Sequence, residues 1–166
     1  MSTELSLLLR LLDEGYERKA WHGPNLKGSL RGVRAAEAAW RPGPGRHNIW
    51  ELAVHAAYWK YAVRRRLTGE KRGAFPHRGS NWFGRPDAPT DKAWRADLAM
   101  LDAEHRRLRE VVARLTGKEL HGKGRGSRQK SDTLVYGVAA HDVYHAGQIQ
   151  LLKRLFKDRG ARVARG

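Results

Sequence analysis

The chain is 166 residues long, has no cysteine, and carries 33 Lys and Arg against 17 Asp and Glu, a formal charge of +16. That length fits one domain with a full core, and the lack of cysteine excludes disulfides, thiolate metal sites and a cysteine nucleophile. No apolar run approaches the ~20 residues needed to span a bilayer, so a cytoplasmic protein without membrane contact is expected.

The first segment, MSTELSLLLRLLDEGYERK, places Leu5, Leu8, Leu9, Leu12 and Tyr16 on one face and predicts a helix over about 3–19. Its acids Glu4, Asp13 and Glu14, and the absence of a cleavage-site pattern, read as an amphipathic helix and not a signal peptide. Trp21, His22, Gly23 and Pro24 break it. A short helical piece follows at 26–33 and one more turn at 35–40, before Arg41, Pro42, Gly43, Pro44 and Gly45 stop the chain again. The second long helix opens at Asn48, whose side chain can cap while Glu51 reaches back, and ends at Gly69. Residues 70–89 form a long connection with Phe75, Trp82 and Phe83 scattered along it. A third long helix begins near Thr90, with Trp94, Leu98, Leu101, His105, Leu108, Val112 and Leu115 spaced 4, 3, 4, 3, 4, 3. The Gly-, Lys- and Arg-rich stretch 117–130 reads as a mobile loop, after which Ser131 caps the last helix. No alternating strand pattern occurs. The fold class is all-α: a four-helix bundle with a long crossover between the second and third long helices. A single domain is expected over 1–166, its core at about 5–156 and a basic tail at 157–166.

The last helix has an apolar seam at Leu134, Val138, His141, His145, Ile149, Leu152 and Phe156, spaced 4, 3, 4, 4, 3, 4, so two histidines stand where Leu or Ile is usual. His55 takes the same kind of position in the seam of Ile49, Leu52, Trp59 and Val63. Buried neutral imidazoles need hydrogen-bond partners. A shared metal supplies one to each ring and leaves the second nitrogen for an outer acceptor. His141 and His145 lie one turn apart, close enough to ligate one ion, and His55 adds a third nitrogen. With no cysteine, water would fill the remaining position, which is an open, catalytic type of site. One divalent ion per chain is expected: Zn²⁺ or Ni²⁺ first, with Fe²⁺, Co²⁺ and Mn²⁺ also compatible.

Other residues are weighed against plainer roles. Glu51 is a fourth ligand or proton shuttle, or simply the capping partner of Asn48, and the cap is favoured. Gln148 is a candidate outer partner of His145. Asp142 is expected to point away from the seam into solvent, His105 to be a satisfied core histidine, and Trp50 and Trp59 to pack the core and an interface. His22, His47, His77 and His121 fall in loops or near helix ends and are not recruited. Substrate walls are expected from the loops at 21–25 and 70–89. Trp50, Ala57, Tyr58 and Tyr61 stand off the main stripe, an apolar patch that would pair with itself in a homodimer.

Several stretches carry a family resemblance: Trp21-His22-Gly23-Pro24-Asn25-Leu26, Ala38 through Leu52, His55-Ala56-Ala57-Tyr58-Trp59-Lys60, and above all His141-Asp142-Val143-Tyr144-His145-Ala146-Gly147-Gln148-Ile149. Over roughly residues 5–156 the chain resembles the DinB-like (YfiT-like) metal-binding bundle proteins. The resemblance implies the same bundle with its crossover, a divalent metal on His55, His141 and His145, and a homodimer. Relatives of that kind include transferases joining low-molecular-weight thiols such as bacillithiol to electrophiles, and a mycothiol-dependent isomerase. Most have no known substrate.

Basic residues cluster at 64–66 with Lys71 and Arg72, at Arg106, Arg107 and Arg109, and along 118–130 and 153–165. Such a surface binds polyanions at low salt whatever its role, yet no nucleic-acid-binding motif occurs. Two functions therefore stand. One is a metal-dependent enzyme, a thiol transferase or hydrolase, acting on a small electrophilic molecule. The other is a non-enzymatic, basic, stress-related protein with a structural metal that contacts nucleic acid or another acidic partner.

Overall fold

Each of the first three long helices begins where a side chain takes up a free backbone N–H. Ser2 Oγ accepts from Leu5 at 3.2 Å, Asn48 Oδ1 from Glu51 at 2.8 Å and Thr90 Oγ1 from Ala93 at 3.2 Å. Glu51 returns the bond by accepting from the Asn48 N–H, closing the expected capping box. The structure, a computed structural model, describes residues 2–84 and 88–163. Its helices are α1 (Thr3–Tyr16), α2 (Leu26–Leu30), α3 (Ala35–Ala39), α4 (Ile49–Thr68), α5 (Asp91–Ala113), α6 (Gly117–His121) and α7 (Ser131–Val163), with no strand among the described residues. Gly69 ends α4 in the left-handed region, at φ 81°, a conformation that glycine adopts without steric cost.

The four long helices form a closed ring in which α4 packs on α5 and α7, and α1 on α5 and α7. Asp13 meets Arg109 while Tyr16 meets Asp102, so α1 and α5 run antiparallel. Trp50 meets Asp97 while Lys60 meets His105, so α4 and α5 run parallel. The order is up-down-down-up, and the parallel α4–α5 pair is what requires the long crossover. The chain is an all-α bundle of the expected kind.

Two apolar cores lie along the bundle. One gathers Leu26, Ile49, Trp50, Trp94, Leu101 and Ile149, and the other Leu9, Leu12, Val63, Leu108, Val112 and Val135. Between them, at the level of residues 55–60 of α4 and 141–145 of α7, runs a band of buried polar groups: His55, Lys60, Glu104, His105, Asp142 and His145. The candidate site occupies one side of this band.

Four sequence expectations change here. The stretch 117–130 is not simply loop, because Thr116 and Glu119 form a second capping box that starts α6. Ser131 is the first residue of α7 and not its cap. The basic tail continues α7 to Val163, and residues 164–166 lie outside the described ones, as do 85–87 of the crossover. The apolar patch assigned to a dimer is covered within the chain. Trp50 and Ala57 are fully buried, Tyr61 nearly so, and Phe75 and Phe83 of the crossover pack on Tyr58. Trp94 of α5 packs on Trp50, and the crossover covers Tyr58 and Tyr61.

Candidate metal centre

His55 sits at mid-α4, where the stripe of Ile49 and Leu52 turns inward; His141 and His145 sit one turn apart on the α7 seam. The ring of the bundle brings the three together. Nε2 of His141 lies 3.1 Å from Nε2 of His55 and 3.0 Å from Nε2 of His145. One donor atom from each of the three falls within 4.8 Å of the others.

The outer nitrogens fix which way the lone pairs face. His55 Nδ1 donates to the Asn81 carbonyl at 2.7 Å, and His145 Nδ1 donates to Gln148 Oε1 at 2.6 Å. Both neutral rings therefore aim Nε2 lone pairs at His141. His141 cannot satisfy both with one proton, and its own buried Nδ1 has no partner among the described residues. Three converging nitrogen lone pairs suit a cation. A tetrahedral ion with metal–nitrogen distances of about 2.0–2.1 Å sets its donors about 3.3 Å apart, so the triad fits one after an opening of a few tenths of an ångström. The donor set and the outer acceptors thus fit the group.

Electrostatics keeps the rings in the form a cation needs. Burial lowers the His55 imidazole to about 4, against the Asn81 bond, with the other histidines adding to the drop. Burial, then repulsion from His145 and His55, lowers His141 to about 3. Burial also lowers His145, although Gln148 opposes it. Burial thus disfavours the protonated form of all three rings.

The crossover supplies the outer wall. Asn81 adopts φ 66°, a left-handed conformation that Asn tolerates better than most residues, and is held there from two sides. Its carbonyl accepts from His55 Nδ1 and its Oδ1 accepts from Trp59 Nε1 at 3.0 Å. The next residue, Trp82, stacks on His55 at 3.8 Å between ring centroids, and His47 stacks on its other face at 3.6 Å. His47 is therefore drawn into the rim of the site, which a loop position in the sequence does not reveal.

Glu51 stays outside the triad. Burial pushes its carboxyl up, but bonds from Arg41 and His47 outweigh that and hold it below the usual carboxylate range. Together with the cap on Asn48 this is the structural role favoured from sequence. His77 bonds Asp97 at 2.8 Å, and His121 lies at the surface beside exposed Glu4 and half-buried Asp132.

Four more expectations change. Asp142 does not point into solvent: it is fully buried and paired with Lys60, itself fully buried. His105 is buried but only half satisfied, stacked on Tyr16 at 4.0 Å with Nδ1 3.4 Å from Lys60 Nζ and no partner for Nε2 among the described residues. Trp59 is half-buried and lines a cavity. That cavity, about 470 Å³, opens onto His55 and His141 between α4 and α7. Its walls are mainly helical; Asn81 is the crossover's contribution, and 21–25 lies elsewhere.

With this geometry established, comparison with known proteins places the chain. The DinB superfamily profile matches residues 20–149, a range that takes in all three histidines and most of the chain. The chain belongs to the DinB superfamily. No curated protein and no solved structure matches it.

Proposed function

We propose that His55, His141 and His145 hold one divalent metal ion, and that the protein is a metal-dependent enzyme acting on a small electrophilic molecule, as a thiol transferase or hydrolase. The observation that carries this reading is the cavity of about 470 Å³ whose lining includes His55 and His141, two of the three histidines whose Nε2 atoms converge. Such a volume falls in the range of small-molecule sites. When bound, a divalent ion supplies Lewis acidity to a thiol or a water at that end of the cavity. The protein's own groups do the rest. Asn81 and Gln148 fix the tautomers, Trp82 and His47 stack over one side of His55, and the apolar wall of Trp59, Val63 and Val138 excludes water from the bound molecule. Gln148→Ala should weaken Zn²⁺ binding by about 10–100-fold while leaving the helical circular dichroism intact.

The net charge of +16 favours a second reading, a basic protein whose metal is structural and which binds nucleic acid. One comparison separates them. In the enzyme reading, transfer of a low-molecular-weight thiol to a generic electrophile needs the ion and disappears in His141→Ala. Binding to DNA is then sequence-independent, fades toward ~0.2 M salt, and ignores metal removal. Salt-resistant, sequence-selective DNA binding without thiol transfer would put the second reading first. The exposed apolar face available for self-association differs from the one expected. The outer stripe of α7 exposes Tyr136, Tyr144, Leu151 and Leu155, and Leu11 of α1 borders Tyr136. The proposed homodimer uses that stripe, and a monomer by light scattering at micromolar concentration in moderate salt would remove it from the account.

A further inference from the structure

The same cavity has a second end. Along α4, His55, Trp59, Val63 and Arg66 follow at spacings of 4, 4 and 3, so one helix stripe lines it from the histidines to a guanidinium. Eleven residues of helix rise about 16 Å between the end Cα atoms. A helical side chain leans back toward the N-terminus, and Arg66 does so, placing Cζ 5.2 Å from the Trp59 ring centroid. That indole is in turn 6.3 Å from the His55 ring and 6.2 Å from the His141 ring. One aromatic ring therefore separates the guanidinium from the candidate metal ligands.

Arg66 is half-buried, and no carboxylate among the described residues pairs with it, whereas Arg64, two positions earlier, is held by Glu70 and Glu104. Gln129 and Thr133 stand at its end of the cavity as neutral hydrogen-bonding groups. Between the ends the wall is apolar, from Trp59 and Val63 on one side and Leu134 and Val138 on the other. Gly137 lies in the same wall, inside α7, where glycine is a poor helix former. A Cβ there would meet nothing within 4 Å, so packing does not require the glycine, and its missing side chain keeps the cavity wide.

We propose that this cavity binds an elongated small-molecule acid, its metal-seeking end at His55 and His141, its apolar body along Trp59, Val63 and Val138, and its anionic end on Arg66. Guanidinium matches a carboxylate or phosphate group with two parallel hydrogen bonds, and a site walled by apolar groups strengthens that pairing. The metal-seeking end rests on the reading of the three histidines given above; the anionic end rests on Arg66 and the cavity alone.

The test separates the two. The Co²⁺-loaded protein is titrated with mercaptocarboxylic acids, from mercaptoacetate to mercaptohexanoate, and with the matching mercaptoalcohols, reading the thiolate-to-cobalt absorption. The metal-free protein is titrated with the corresponding plain alkanoic acids and alcohols, reading tryptophan fluorescence. At the best chain length the acid should bind at least about tenfold more tightly than the alcohol, a difference of about 1.4 kcal/mol. In Arg66→Gln that preference should vanish while cobalt content and alcohol affinity stay the same. Gly137→Leu should weaken acid and alcohol alike by filling the cavity. If cobalt fails to bind but the metal-free protein still prefers acids through Arg66, the metal reading falls and the anion pocket stands. If cobalt binds and acids bind no better than alcohols, or the preference survives Arg66→Gln, the anion pocket is wrong. Displacement of the acid by a single-stranded oligonucleotide at ~0.2 M salt, lost in Arg66→Gln, would make the cavity a nucleic-acid subsite and overturn the proposal.

Discussion

Lys60→Met should destabilise the protein by about 3–5 kcal/mol, because it strands a carboxylate in the centre of the bundle. Lys60 and Asp142 are both fully buried, and their ion pair joins α4 to α7 in the polar band between the two cores. Burial is the dominant influence on Asp142 and pushes its carboxyl up to about 6, even with the Lys60 ammonium favouring the charged form. Removing the ammonium takes away the attraction and leaves the desolvation cost. Loss on this scale is a large part of the total stability of an ordinary domain. The double variant Lys60→Met/Asp142→Leu should recover most of it, since an apolar pair of similar volume needs no compensation. Urea denaturation followed by circular dichroism distinguishes the variants. The single variant's deficit should shrink as the pH falls toward about 6, because its folded carboxyl, held above the parent's value, is by then protonated in both folded proteins. Equal stability of the single and double variants would show that the buried pair is not what matters.

The second large effect is on the metal-bound state. With free Zn²⁺ a hundredfold above its dissociation constant, the wild-type protein should gain about 2.7 kcal/mol over the metal-free form, and His145→Ala should gain almost none. Acid should remove the gain, because protonated imidazoles do not ligate. The metal-free fold has its own pH dependence from the same rings. Their folded values lie below the ordinary histidine value, at about 4 for His55 and about 3 for His141. Above about pH 6.5 the rings are neutral in both folded and unfolded chains, and stability is flat. As pH falls from there toward 4 and then 3, the unfolded chain takes up protons that the folded one refuses, and stability drops. The His55 shift alone corresponds to roughly 3 kcal/mol. Thermal melts of the metal-free protein from pH 8 to pH 4 would show a plateau and then a fall. Asp142, whose raised carboxyl takes up its proton first in the folded chain, opposes the fall between about pH 6 and 4. A profile that stays flat in Lys60→Met/Asp142→Leu as well would therefore mean the histidines are solvated.

Much of the architecture was legible because helices announce themselves locally. The Asn48–Glu51 box, Gly69 and the seam of α5 are short-range patterns, and the structure places α4 and α5 at the expected positions. The three histidines were visible as polar residues on otherwise apolar seams, and the bundle brings them together. The buried ion pair was not, because Lys60 and Asp142 are 82 positions apart, and each alone reads as a solvated charge. Only their pairing makes burial tolerable, and pairing is a tertiary fact. The crossover hid its role for the same reason. Asn81 and Trp82 look like any polar and aromatic loop residues until the backbone turns them onto His55. One miss was avoidable: Thr116 and Glu119 stand at capping-box spacing, but the Gly- and Lys-rich stretch after them suggested a loop.

The proposed metal ion on His55, His141 and His145 rests on their converging Nε2 atoms. Elemental analysis of protein purified without chelator, or dialysed against Zn²⁺ or Ni²⁺ and then washed, tests it most directly. The wild type should hold close to one divalent ion per chain, and His55→Ala, His141→Ala or His145→Ala variants that remain helical by circular dichroism should hold little or none. A wild-type protein that cannot be loaded, or three variants that keep the ion as well as the parent does, would contradict it.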